Sequence, residues 1–86
     1  MKLSFVDESW EDYLYWQKTD KKILNRINRL IKEIARTPYE GIGKPEALKH
    51  KYRGFWSRRI NDEHRLIYRV TDENEIWIVK CRFHYD

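Results

Sequence analysis

The chain has 86 residues, 37% of them charged and 41% hydrophobic, and carries a formal net charge of +4. Such a length makes one small domain, residues 1–86, burying only about 60–65% of its unfolded surface, and its one cysteine, Cys81, excludes an intrachain disulfide and a Cys/His zinc cluster. The first residues turn acidic without the apolar run of a signal peptide, and no later stretch is apolar enough to span a membrane, so a cytoplasmic protein is expected.

So high a charged fraction is typical of disorder, but four Trp, six Tyr and three Phe and a clear apolar periodicity predict a packed core. Lys2 to Val6 reads as a short strand, with Leu3 and Phe5 alternating with Lys2 and Ser4. Asp7 or Ser9 caps a first helix. Ser9 and Asp12 have the spacing of a capping box, and Trp10, Tyr13, Leu14 and Gln17 share one helical face. Thr19 or Asp20 caps a second helix with an apolar stripe of Ile23, Ile27, Leu30, Ile31 and Ile34, which Thr37-Pro38 ends. The short connection predicts an antiparallel helical hairpin.

Residues 39–54 contain all three glycines and Pro45 and read as a structured loop with a short helical turn from Pro45 to His50. Three strands follow, over 55–60, 64–71 and 75–85, turning at Asn61-Asp62-Glu63 and Asp72-Glu73-Asn74. In the last, Trp77, Val79, Cys81 and Phe83 alternate with Ile78, Lys80, Arg82 and His84. In the middle one, Leu66, Tyr68 and Val70 alternate with Arg65, Ile67 and Arg69. The expected fold class is α+β, a two-helix hairpin packed on one face of a small, mainly antiparallel four-stranded sheet. The helices should cover the face bearing Trp77 and Val79, leaving Arg59, Arg65, Arg69, Lys80, Arg82 and His84 on or beside the other. A three-residue hairpin loop would set Arg59 directly opposite Arg65, a destabilising like-charge pair unless an anion sits between them or both side chains splay into water.

The charge is concentrated. Residues 44–69 hold eight Lys and Arg against Glu46, Asp62 and Glu63, a surplus of five, so the rest of the chain is negative by one. Such a segment suits a polyanion and, beside a carboxylate and a histidine, phosphodiester chemistry. Glu46 is either a carboxylate base held among cations or the partner of Lys49 in a weak surface ion pair at i, i+3 of the helical turn. His84 can give or take a proton near neutrality, or is simply an exposed terminal residue. His64 and His50 are further candidates. Arg59 and Arg65 suit a phosphate or serve as solubilising charge. Tyr85 stacks on a nucleobase or packs with Phe83. Cys81 reads as a small buried hydrophobe. Tyr13, Tyr15 and Trp16 make the first helix more aromatic than a thin core requires and suggest a partner surface. No glycine-rich phosphate loop, nucleophile elbow or metal-ligand spacing is present, so no cofactor and no metal are expected.

Six blocks in order carry a resemblance: residues 11–17 (EDYLYWQ), 36–41 (RTPYEG), 43–50 (GKPEALKH), 54–60 (GFWSRRI), 63–68 (EHRLIY) and 81–85 (CRFHY). Together they resemble the YoeB (Txe) toxins of the RelE superfamily of bacterial toxin–antitoxin modules, over nearly the whole chain. The resemblance departs at Asp86, which follows the His84-Tyr85 pair that closes the related chains.

This resemblance implies a ribosome-dependent endoribonuclease that cleaves mRNA in the A site and stops translation. It implies a homodimer silenced by a YefM-type antitoxin, with operator DNA engaged only through that antitoxin. It implies Glu46 as general base, His84 as general acid and Arg65 as the stabiliser of the transition state, with Lys49 and Arg59 holding phosphate and Tyr85 positioning a base. The competing readings are a non-catalytic basic module that binds RNA or the ribosome and, less well supported by the helical half, a DNA-binding repressor.

Overall fold

The second helix organises the core. In the computed structural model, which describes residues 1–84, the elements are β1 (Lys2–Phe5), α1 (Ser9–Thr19), α2 (Lys21–Arg36), β2 (Glu46–Ala47), a 3₁₀ turn (His50–Tyr52), β3 (Trp56–Arg59), β4 (Arg65–Val70) and β5 (Glu75–Lys80). Asp20 caps α2 by accepting the Lys22 and Ile23 N–H groups. Ile27, Leu30 and Ile34 recur at helical spacing and are completely buried, and Ile23 and Ile31 pack at their flanks.

The sheet has five strands in the order β1-β5-β4-β3-β2. It is mixed, because β1 runs parallel to β5 while the other pairs are antiparallel. The expected four-stranded sheet therefore gains a two-residue strand and one parallel edge. The added strand replaces the predicted helical turn: Glu46 pairs with Ser57 and Ala47 with Trp56, and Leu48 N–H continues the contact to the Phe55 carbonyl. Glu46 and Lys49 are thus on extended chain, not one turn apart on a helix.

The facing of β5 also differs. Ile76 and Ile78 are buried under the helices, whereas Trp77 is exposed on the opposite face. The cause is a bulge. Ile67 pairs with Lys80 and Tyr68 with Ile78, leaving Val79 as the extra residue. Even-numbered side chains point inward before it, and Cys81 points inward after it, so the period-2 reading taken back from Cys81 inverts Trp77. Cys81 does join the core, and burial pushes its thiol up to about 12.

Of the face expected on helix α1, Tyr13 packs against the core, but the deepest burial lies elsewhere. Trp16 is its anchor, 5% exposed, with Nε1–H donating to the Cys81 carbonyl at 2.8 Å. Trp10 is largely exposed and stacks on Tyr13 beside Phe5. No Ser9–Asp12 capping box forms. Ser9 Oγ–H is shared between the Val6 and Ile78 carbonyls, and Asp12 accepts the Cys81 N–H. Ser9 ties α1 to β5 and Asp12 ties it to the residue just after β5, in place of capping it.

Candidate active site

The open face of the sheet gathers polar residues by strand register. Ser57 and Arg59 share that face of β3, Arg65 lies on the same face of β4, and Arg59 pairs directly with Arg65. Glu46 is placed beside them because it pairs with Ser57. Diagonal neighbours on one sheet face are roughly 7–8 Å apart, so the carboxylate and both guanidinium groups reach a common space. That space is a cleft of about 580 Å³ lined by Lys44, Pro45, Glu46, Ser57, Arg59, Arg65 and His84, within the ~300–1,000 Å³ common for ligand sites.

The like-charge pair at the cleft floor is held by backbone. Arg65 Nη1 donates to the Asn61 carbonyl at 2.6 Å and to the His64 carbonyl at 3.1 Å, which fixes the guanidinium against the hairpin turn. The Arg59 backbone N–H donates to the Gly43 carbonyl at 2.6 Å, and its carbonyl accepts from Arg26. An anion between the two guanidinium groups would offset their repulsion.

Gly43 sets the other wall. Its φ is +83°, and a Cβ there would lie 2.9 Å from Leu30 Cδ2 and 3.1 Å from Arg58 Cβ. Lys44 follows with φ +51°, so two successive left-handed residues turn the chain over β3 and bring Lys44 and Pro45 to the rim. Gly43→Ala should therefore cost about 1–3 kcal/mol from backbone strain alone. A urea unfolding midpoint equal to that of the parent would contradict this account of the turn.

Beneath the cleft lies a buried arginine that the sequence did not distinguish from its neighbours. Arg58 is 0% exposed. Its guanidinium donates to the Thr37, Glu40 and Ile42 carbonyls at 2.6, 2.9 and 3.0 Å and to Tyr68 Oη at 3.2 Å. Tyr68 in turn donates to the Pro38 carbonyl at 2.6 Å. Residues 37–42 are thus folded around one cation. Only opposite parity to Arg59 on the strand hinted at this role.

The predicted site residues divide clearly. Glu46, Arg59, Arg65 and His84 meet in the cleft, and Lys44, Pro45 and Ser57, which sequence reasoning passed over, line it with them. Lys49 is exposed and does not line it, because the extended chain at 46–49 places Lys49 beyond buried Leu48. Tyr85 lies outside the described residues. Arg82 is not beside Arg59 and Arg65. Its guanidinium packs 3.5 Å from the Tyr15 ring centroid and 4.5 Å from that of Phe83, in a second cleft with Asp12 and Lys80. His50 is exposed in the 3₁₀ turn, and His64 is buried at 6% exposure. His84 is therefore the histidine that lines the cleft. Among the described residues, no group of three or more His, Cys, Asp or Glu side chains is placed to hold a metal ion, and no helix is long and apolar enough to cross a membrane.

Comparison with known proteins matches this arrangement to one family. The family model for the YoeB-like toxin of bacterial type II toxin–antitoxin systems matches residues 5–85. Toxin YoeB of Escherichia coli K12 is 62% identical over 85 residues, covering 99% of this chain and all of the relative. The YoeB/ParE toxin from Agrobacterium tumefaciens superposes with a TM-score of 0.96 at 49% identity, covering 99% of this chain and 100% of that one. Staphylococcus aureus YoeB superposes with a TM-score of 0.90 both in a heterotetrameric complex with YefM, at 50% identity, and as a YoeB dimer, at 49% identity. Each alignment covers 99% of this chain and 98% of that one. Full-length identity, the α+β fold and the family match agree, and the chain belongs to the YoeB toxins of bacterial type II toxin–antitoxin systems.

Proposed function

We propose that this chain is a ribosome-dependent endoribonuclease that cleaves mRNA in the ribosomal A site and so inhibits translation. The observation that carries the reading is the convergence of one carboxylate, one imidazole and three cations, Lys44, Arg59 and Arg65, on a single open cleft. A non-catalytic binding module needs the cations, but it does not need an acid–base pair among them.

In this reading Glu46 takes the proton from the ribose 2′-OH, whose oxygen attacks the adjacent phosphorus. Arg65 and Arg59, with Lys44 at the rim, offset charge growing on the phosphate oxygens. His84 protonates the departing 5′-oxygen. The products are a 2′,3′-cyclic phosphate and a 5′-hydroxyl. The family resemblance extends the site to Lys49 and Tyr85, with Lys49 binding phosphate from outside the cleft and Tyr85 positioning a base. The relatives found as a dimer and as a heterotetramer with YefM support a homodimer here and a YefM-type antitoxin that covers the basic cleft.

The test uses ribosomes programmed with mRNA carrying either ribose or 2′-deoxyribose at the A-site cleavage position. Cleavage of the ribose message to a cyclic phosphate, with the deoxy message intact, is expected because the 2′-OH is the nucleophile. Cleavage of the deoxy message would remove the mechanism. An intact ribose message would leave the binding-module reading in its place. Arg65→Ala should slow single-turnover cleavage about 10²-fold, the usual loss for one preorganised charge donor.

A further inference from the structure

Beyond β5, nothing in a sheet ladder holds the segment that carries His84, so its position rests on individual contacts. Four are visible. Cys81 N–H donates to the Asp12 carboxylate at 3.1 Å, and the Cys81 carbonyl accepts from Trp16 Nε1 at 2.8 Å. Phe83 N–H donates to His64 Nδ1 at 2.7 Å, and the Phe83 carbonyl accepts from the Arg65 backbone N–H at 3.0 Å. The last two bracket the residue immediately before His84.

Phe83 needs that bracket. Its φ is +66°, a region that bulky side chains avoid. Phe83 is 49% exposed and its ring touches the His64 ring only at a tilt, 5.7 Å between centroids, so packing does little to hold the backbone there. The strained conformation is held chiefly by the ties on both backbone polar groups of Phe83.

His64 is built to provide its half of the tie. The imidazole stands edge-on to Trp16, with ring centroids 4.7 Å apart. Its own N–H donates to Asn61 Oδ1, and its carbonyl accepts from Ile60 and Asn61 N–H groups. Because Nδ1 accepts, the ring proton belongs on Nε2. The Glu63 carboxylate 3.6 Å from Nε2 favours that placement.

We infer that His64 is a positioning residue whose neutral imidazole latches Phe83 and so aims His84 into the cleft opposite Glu46, and that protonation of His64 releases the latch. A protonated imidazole is a donor at both nitrogens, so Nδ1–H would face Phe83 N–H and the bond would be lost. Burial holds the His64 pKa below the ordinary histidine value, and Arg82, His84 and Arg65 act in the same direction, while Glu63 opposes them. Trp16, the contact from α1, adds no charge. With a depressed folded value, the stabilisation by neutral His64 is fully present above the ordinary value near 6.5. It is lost as pH falls through the lower folded value. The consequence for cleavage rests on the ribonuclease reading above, whereas the latch itself does not.

The experiment follows the Phe83 amide by hydrogen exchange and the His64 ring nitrogens by 15N NMR in the full chain. The parent should show the Nε2–H tautomer and a Phe83 amide protected at pH 7 that loses protection on acidification. His64→Asn places an amide oxygen near the position of Nδ1 and cannot titrate, so protection should persist and become independent of pH. His64→Leu keeps apolar volume without an acceptor, and its Phe83 amide should exchange about tenfold faster at neutral pH. On programmed ribosomes, the Asn variant should cleave near the parent rate. The Leu variant should be about 10–100-fold slower, as expected for a displaced proton donor. An Nδ1–H tautomer in the parent would overturn the inference without any variant. So would a folded Asn variant that loses Phe83 protection with the same pH dependence as the parent. A Leu variant that loses protection yet cleaves like the parent would also overturn it. Latch behaviour as expected in a parent that does not cleave would support the latch and defeat the ribonuclease reading.

Discussion

Replacing Glu46 with Gln, or His84 with Ala, should slow single-turnover cleavage of ribosome-bound mRNA by about 10²–10⁴-fold each, the range for loss of a positioned general base or acid. The geometry argues that binding will change little. Lys44, Arg59 and Arg65 remain in the cleft in either variant, and Arg65 is anchored to the turn carbonyls of Asn61 and His64. Glu46→Gln keeps the side-chain volume and removes only the charge and basicity. If base and acid act on one displacement as proposed, the double variant should be little slower than the worse single variant. Rates are to be read with excess enzyme on programmed ribosomes, with ribosome occupancy measured separately. A Glu46→Gln enzyme cleaving at the parent rate would remove the base assignment. A His84→Ala enzyme doing so would remove the acid assignment and leave exposed His50 as the remaining histidine, since His64 is buried with Nδ1 engaged.

The largest expected loss of stability comes from Arg58, which lies under the cleft but does not line it. Arg58→Ala would leave an empty volume, strip the Thr37 and Ile42 carbonyls of this donor, and leave Glu40 with only Thr37 Oγ1 and Tyr68 Oη with only its bond to Pro38. Losing a buried charge with all its hydrogen bonds costs about 3–5 kcal/mol. A chain of this size has roughly 4–13 kcal/mol in total, so the variant should be largely unfolded or strongly shifted in urea. Arg58→Lys should recover little, because one ammonium cannot serve carbonyls that a planar guanidinium reaches together. A urea midpoint for Arg58→Ala within experimental error of the parent would show that residues 37–42 fold without the cation. Loss of cleavage at Arg58 must therefore be read alongside its stability. A loss at Glu46 can be read as chemistry, because Glu46 is exposed.

Local patterning was sufficient for the second helix. The α2 stripe of Ile27, Leu30 and Ile34, the Asp20 cap and the stop at Thr37-Pro38 are all short-range features, and each forms as its sequence implies. The three-residue turn at 61–63 also fixed Arg59 opposite Arg65, because hairpin register follows loop length. Six ordered blocks pointed to the family without any coordinates, and with it the role proposed for each reacting group.

Other features depended on contacts between distant segments. Whether Pro45 opened a helical turn or led into a strand was decided by β3, whose free edge offered Glu46 and Ala47 a ladder that a local turn could not match. The facing of β5 was decided by one unpaired residue, Val79, which leaves no mark on the alternation. Trp16 rather than Trp10 is the anchor of α1, packed in the core with its Nε1–H on the Cys81 carbonyl 65 residues away, a contact no local pattern marks. Arg58 and Arg59 are adjacent and alike in sequence, yet strand parity buries one among carbonyls and leaves the other at the cleft. Composition and periodicity determine which residues can be buried and where helices start and stop. Only pairing across the sheet determines which face an ambiguous strand turns inward, and therefore which of several similar cations meet Glu46 and His84.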